Sequence, residues 1–173
     1  MPGPREPPLD ISVIQAVGRG GRMDHTLQKC TELGASAFQP LWAERVEVRL
    51  KGDKLAKKRL HWQGVVISAC EQSGRAVVPE VREPLGITDL GAPSDGIARL
   101  VLDPTAERSL ASVGGVTSLQ LVVGPEGGLT DAELSSLVQA GAIPVSLGPR
   151  VLRTETAAPA ALAVLQALLG DFR

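Results

Sequence analysis

At 173 residues with 43% hydrophobic content, the chain is long enough for one domain with a sizeable core and has the composition of a soluble globular protein. Aromatic residues make up only 2%, with no tyrosine, so the core must come from Leu, Val, Ala and Ile, and a base-stacking platform for gripping single strands is excluded. No uninterrupted apolar run is long enough for a spanning helix. Cys30 and Cys70 stand alone, with no CxxC and no adjacent His, which excludes a disulfide framework or a zinc site and predicts two buried free thiols. Net charge is −1, but residues 1–75 hold twelve Lys and Arg against eight Asp and Glu, and residues 76–173 hold six against eleven.

In chain order, residues 1–10 are proline-rich and read as a lead-in rather than a signal peptide. Ile11–Val17 is β-branched and apolar and predicts a strand. Asp24–Leu33 predicts a helix, with Asp24 as candidate N-cap, Leu27 and Cys30 on one face and Gly34 as the stop. Ala37–Ala43 predicts a second strand. Lys54–Gln72 predicts a long helix from the spacing of Leu55, Leu60, Val65, Val66 and Ala69, with Gly64 a local weakness. Pro79–Asp95 reads as loop. Ala98–Leu102 and Leu119–Val123 predict strands, the latter of the fully buried parallel type. Thr130–Ala140 predicts a helix that opens on a capping box, Thr130 with Glu133. Ile143–Leu147 is the next strand and Thr154–Leu169 a final helix whose uncharged faces imply burial, in part against another subunit. This alternation predicts an α/β fold with a mainly parallel sheet and helices on both faces.

Two segments carry the chemistry: Gly124-Pro125-Glu126-Gly127-Gly128 and Leu147-Gly148-Pro149-Arg150-Val151-Leu152-Arg153-Thr154-Glu155-Thr156-Ala157. Each follows a strand and leads to a helix, and two such loops ending neighbouring strands can form one pocket where open α/β sheets bind ligands. Glycines permit close approach and unusual torsions, and prolines stiffen the loops. Such a pocket suits a ligand recognised through backbone hydrogen bonds to a purine edge and ribose. Gly18-Arg19-Gly20-Gly21 does not match the dinucleotide fingerprint, and no P-loop occurs. The only histidines, His25 and His61, read as surface or cap residues away from the loops, and no metal-ligand cluster stands out. The basic run Arg45, Arg49, Lys51, Lys54, Lys57, Lys58 and Arg59 reads either as a contact to a phosphate backbone or as a solvated surface.

These residues resemble the RsmE family of bacterial 16S ribosomal RNA methyltransferases. Val123-Gly-Pro-Glu-Gly-Gly-Leu-Thr and Leu147-Gly-Pro-Arg-Val-Leu-Arg-Thr-Glu-Thr-Ala carry the resemblance. Leu27-Gln-Lys-Cys-Thr-Glu-Leu-Gly, Ala43-Glu-Arg-Val and Ala69-Cys-Glu-Gln-Ser-Gly-Arg75 with Val78-Pro79 extend it from about Ile11 to Leu169. Val46 stands where serine is usual, and Arg19 where lysine is common. The resemblance implies a SPOUT fold over residues 11–173, with a C-terminal trefoil knot. It implies a homodimer, S-adenosylmethionine as methyl donor, and transfer to N3 of a uridine in 16S rRNA of the small ribosomal subunit, in the cytoplasm. The chain starts near the family's linker, so the family's N-terminal PUA-like RNA-binding domain is expected to be absent. A non-catalytic ribosome-binding module that keeps the fold, and a knotted methyltransferase with another RNA target, are the alternatives.

On this reading the donor pocket is expected at Val123, Gly124, Gly128, Leu147, Gly148, Leu152 and Thr154. Arg153 is the candidate for stabilising charge in the transition state, and Glu155 is either a base or a structural cap at the helix start. Arg45, Arg75, Lys57 and Lys58 are the candidates for RNA contact, Arg45 also standing as a catalytic candidate.

Overall fold

A computed structural model describes residues 6–172 of the chain. Seven strands form one sheet: β1 (Asp10–Ala16), β2 (Ala37–Trp42), β3 (Glu80–Val81), β4 (Leu85–Gly86), β5 (Ala98–Leu102), β6 (Ser118–Val123) and β7 (Ile143–Val145). The order is β3-β2-β1-β6-β5-β7, with β4 also on β2, and every recorded strand pair is parallel. The helices are α1 (Arg22–Glu32), α2 (Gly52–Ser73), α3 (Asp131–Gln139) and α4 (Thr154–Leu169).

Side chains on the strands alternate between two cores, as the two-residue period of a pleated strand requires. Ile11 and Val13 of β1, Leu119, Leu121 and Val123 of β6, and Leu100 of β5 point to one face, where α1, α2 and α4 cover them with Leu27, Cys30, Trp62, Val66, Ala158, Leu162 and Leu165. Ile14 and Ala16, Val122, and Val101 point to the other face, against Leu137 of α3 and Ile87 of a short 3-10 turn. Burying each large aliphatic side chain contributes roughly 1.5–3 kcal/mol. A central strand buried on both faces reads as a near-continuous apolar run, which is why β6 stands out in the sequence. The expected mainly parallel sheet with helices on both faces is observed.

The differences from the expected elements have local causes. Helix α1 begins at Arg22, and its N-cap is Gly21 without a side-chain cap. Asp24 lies inside the first turn and its Oδ2 is 2.6 Å from His61 Nε2, so it joins α1 to α2 instead of capping. Helix α2 runs from Gly52 to Ser73, and its buried stripe is Trp62, Val66, Ala69 and Cys70. Leu60 is off that stripe and 74% exposed. The stretch expected to be loop contains β3, β4 and the 3-10 turn at Ile87–Asp89. These two-residue strands add to the edge of β2 through backbone pairing that no side-chain pattern announces. The capping box is present: Thr130 Oγ1 accepts from Glu133 N–H, and Glu133 Oε2 accepts from Thr130 N–H.

Candidate active site

Because the strands are parallel, their carboxyl ends meet at one edge of the sheet. A cavity of about 670 Å³ opens there. Its walls come from Leu102–Pro104 at the end of β5, Val123–Leu129 at the end of β6, Leu147, Gly148 and Arg150–Leu152 after β7, the first turn of α4, and Arg22 at the start of α1. The two loops marked by their glycines and prolines therefore face each other across one cavity.

The local geometry depends on glycine at definite points. Gly128 and Gly148 both have φ of 76°, a left-handed conformation that costs other residues about 1–2 kcal/mol. A Cβ on Gly124 would sit 3.1 Å from Leu129 Cγ and 3.3 Å from Leu129 N, so the loop folds back tightly on its own chain. A Cβ on Gly127 would sit 3.2 Å from Arg45 Cδ.

Three elements are cross-linked beneath the cavity. Thr154 Oγ1 donates to the Gly124 carbonyl at 2.7 Å and accepts from Gln15 Nε2 at 2.9 Å. Gln15 also donates to the Ala16 carbonyl and lies in register with Val123. Thr154 lines the cavity, and its hydroxyl ties α4 to the β6 loop. All the other expected donor-site residues, Val123, Gly124, Gly128, Leu147, Gly148 and Leu152, line the same cavity, as do Arg153 and Glu155. Arg153 is exposed at the N-cap of α4, and its guanidinium forms no ion pair among the described residues.

One wall is charged. Glu126 Oε1 accepts from Arg22 Nη1 at 2.8 Å and from the Arg19 N–H at 3.0 Å. Partial burial works against the Glu126 carboxylate, but backbone N–H groups and the Arg22 guanidinium outweigh it and hold its pKa below the usual carboxylate range. Glu155 Oε1 lies 3.7 Å from Arg22 Nε. Arg19 itself pairs with Glu47.

The candidates for RNA contact separate. Arg45 lies just outside the cavity lining, exposed, with Nη1 donating to the Gly127 carbonyl at 2.7 Å. Its position follows from the capping box, since Glu133 Oε1 accepts from the neighbouring Glu44 N–H at 2.6 Å. Lys57 is exposed on α2, and Lys58 holds its ammonium 6.0 Å from the Trp62 ring centroid. Neither lysine lines the cavity. Arg75 is a correction. Its side chain is 5% exposed and pairs with Glu6 at 2.7 Å, and its Nη1 donates to the carbonyls of Thr31 and Ala35. It fastens the N-terminal segment, α1 and the start of β2 together and has no guanidinium face left for a phosphate.

Sequence reasoning missed Gln15 and Arg22. A glutamine set between Val13-Ile14 and Ala16-Val17 in a central strand requires a partner, which was the available signal for Gln15. Arg22 had none, because its partners lie 104 and 133 positions away.

Comparison with known proteins bears on the family and the fold. The sequence profile of the RNA methyltransferase domain family matches residues 5–166. The crystal structure of a ribosomal RNA small subunit methyltransferase E from Neisseria gonorrhoeae bound to S-adenosyl methionine superposes with a TM-score of 0.92 at 42% identity, covering 98% of this chain and 70% of that one. Ribosomal RNA small subunit methyltransferase E of Buchnera aphidicola from Schizaphis graminum is 35% identical over 96% of this chain and 68% of its own length. The Bacillus subtilis protein of the same name is 34% identical over 93% and 67%. The chain thus spans about two thirds of the length of these relatives, and it belongs to the ribosomal RNA small subunit methyltransferase E family of RNA methyltransferases.

Proposed function

We propose that this chain binds S-adenosylmethionine in the cavity at the carboxyl edge of the sheet and transfers its methyl group to N3 of a uridine in 16S ribosomal RNA. The observation that carries the reading is the meeting of the two glycine loops around one 670 Å³ cavity, in a chain whose relatives are named as small subunit ribosomal RNA methyltransferases, one of them bound to S-adenosyl methionine. The cavity fits the donor. Leu102, Val123, Leu129, Leu134, Leu147 and Leu152 supply apolar wall for an adenine ring, while the loops offer main-chain groups to its edge.

In this reading the backbone at Val123, Gly124, Gly128, Leu147, Gly148 and Leu152 holds the adenosyl group, with Thr154 fixing the loop from below. When bound, the sulfonium supplies an electrophilic methyl. Arg153 stabilises negative charge on the uracil oxygens as N3 loses its proton, and Glu155 accepts that proton. Arg45, beside the Gly127 turn, and Lys57 and Lys58 on α2 give the RNA backbone a basic approach. The trefoil threading of the C-terminal segment and a cytoplasmic homodimer belong to the same proposal.

Calorimetric titration with S-adenosylmethionine, followed by methyl transfer to unmodified small ribosomal subunits, tests the reading. Binding with transfer is expected. A ribosome-binding module that keeps only the fold would bind subunits without either. Arg153→Ala should bind donor normally but slow single-turnover transfer by about 10²-fold, and an unchanged rate would remove Arg153 from the mechanism.

A further inference from the structure

The charged wall of the cavity contains an arginine that the reading above leaves without a task. Arg22, Glu126 and Glu155 come from three separate parts of the chain: the start of α1, the loop after β6, and the first turn of α4. Arg22 Nη1 lies 2.8 Å from Glu126 Oε1, and its Nε lies 3.7 Å from Glu155 Oε1. The Glu126 side of this clamp is fixed. Its Oε1 also takes the Arg19 N–H, and a Cβ on Gly18 would fall 3.1 Å from that oxygen, so the carboxylate lies directly against the turn between β1 and α1.

The Glu155 side is incomplete. Glu155 Oε2 is buried and has no hydrogen-bond partner among the described residues. A buried acceptor left unpaired is costly, and a catalytic role is one of the few reasons a folded protein keeps such a group. Resting on the proposed function, the chemistry specifies the missing donor. N3 of uracil carries a hydrogen that must leave before its electron pair can attack, and Glu155, a cavity-lining residue, supplies the matching acceptor when binding of the base uncovers Oε2.

We propose that Arg22 is a positioning residue that, tethered by Glu126, holds one oxygen of Glu155 so that the other accepts the N3–H of the target uridine. The N3 proton passes to the Glu155 carboxylate, the N3 electron pair forms the bond to the methyl carbon, and the carbon–sulfur bond breaks with its pair remaining on sulfur. Glu155 then returns the proton to solvent. A guanidinium is needed because it presents Nε and Nη1 in a fixed fork to two carboxylates at once, which a lysine ammonium does not do.

The test compares parent, Arg22→Ala, Arg22→Lys, Glu155→Gln and Arg22→Ala/Glu155→Gln. For each, donor Kd is measured by calorimetry and single-turnover transfer to unmodified small subunits is measured at saturating donor. Both Arg22 variants are expected to keep donor Kd within about twofold while transfer slows about tenfold or more, and lysine is expected not to rescue. In the Glu155→Gln background, removing Arg22 should cause no further loss, because the two residues act through one oxygen. An Arg22→Ala rate within about twofold of the parent, multiplicative losses in the double variant, or donor Kd weakening in step with the rate would overturn the assignment. A parent that neither binds donor nor transfers methyl overturns the proposed function and this inference together, whereas an active parent with parental rates in both Arg22 variants overturns this inference alone.

Discussion

The hydrogen-bond relay from Gln15 through Thr154 to Gly124 should be worth about as much to the cavity as to the fold, and Thr154→Val tests this. Valine keeps the branched shape and removes only the hydroxyl. That hydroxyl makes two contacts, one to the Gly124 carbonyl at 2.7 Å and one from Gln15 Nε2 at 2.9 Å. Gln15 is 2% exposed and Thr154 7%, so water does not replace the lost partner of Gln15, although the amide keeps its bond to Ala16. The Gly124 carbonyl lies in a half-buried loop and regains some hydration. With each stranded group costing about 1–3 kcal/mol, and one of them partly rescued, a total near 2 kcal/mol follows. Urea denaturation should show a midpoint lower by about 1 M for an m value near 2 kcal/mol/M. Because Gly124 lines the cavity, calorimetry should also show donor affinity weaker by about tenfold, the equivalent of about 1.4 kcal/mol. Gln15→Leu acts on the same relay, so the double variant should cost less than the two singles together by at least ~0.5 kcal/mol. Strict additivity, or a Thr154→Val protein with parental midpoint and parental donor affinity, would refute the idea that this relay joins α4 to the β6 loop energetically.

Arg75→Ala should destabilise the chain by about 3 kcal/mol in denaturant titration, since it breaks a largely buried pair and strands the carbonyls of Thr31 and Ala35. Partial burial opposes the Glu6 charge, yet Arg75 and the N–H groups of Val77 and Ala76 hold its pKa below the ordinary carboxylate value. Its stabilisation is therefore present above that ordinary value and lost as pH falls through the lowered one. Glu6→Gln should lower stability at neutral pH and flatten the acid limb, and an unchanged acid limb would rule the pair out as its source. Gly34→Ala should cost more than about 1–2 kcal/mol, because φ is 91° and the new Cβ would meet Gln166 Nε2 and Pro7 Cγ, each at 2.7 Å. A thermal midpoint at the parental value would contradict that geometry. Cys30 is fully buried, which pushes its thiol far up, and the reactive thiolate is correspondingly scarce. A thiol-specific reagent should label Cys30 only on unfolding, and labelling of the native chain at the denatured rate would contradict its burial.

The parts of the fold that were legible are those where burial writes a period into the sequence. Strands β1, β5 and β6 lie within the sheet and show their apolar alternation or runs, and the capping box marks the start of α3 locally. Strands β3 and β4 were not legible, because two-residue strands at the edge of β2 are held by backbone pairing that is nearly indifferent to side-chain type. The stripe on α2 was misjudged at Leu60 for a related reason. Spacing gives a period, but the phase of a long helix is set by what it packs against, here Trp62 and Val66 over α1 and the sheet.

The site divides along the same line. A pocket made of main chain must be made by glycines and prolines, so Gly124, Gly128 and Gly148 disclose it from the sequence alone. The side chains that brace the pocket disclose nothing, since Gln15 meets Thr154 across 139 positions and Arg22 meets Glu126 across 104. Arg75 shows the converse error. An arginine in a polar, glycine-flanked stretch looks like a ligand for phosphate, yet two backbone carbonyls and Glu6 use its fork from inside. The distinction is physical. Arg153 and Arg45 lie at the cavity or its rim with guanidinium groups exposed to solvent, so an incoming anion meets them at small desolvation cost. To reach Arg75, the same anion would have to displace a carboxylate and two carbonyls already in place. Availability of donors, rather than arginine content, therefore decides which of these cations can face RNA.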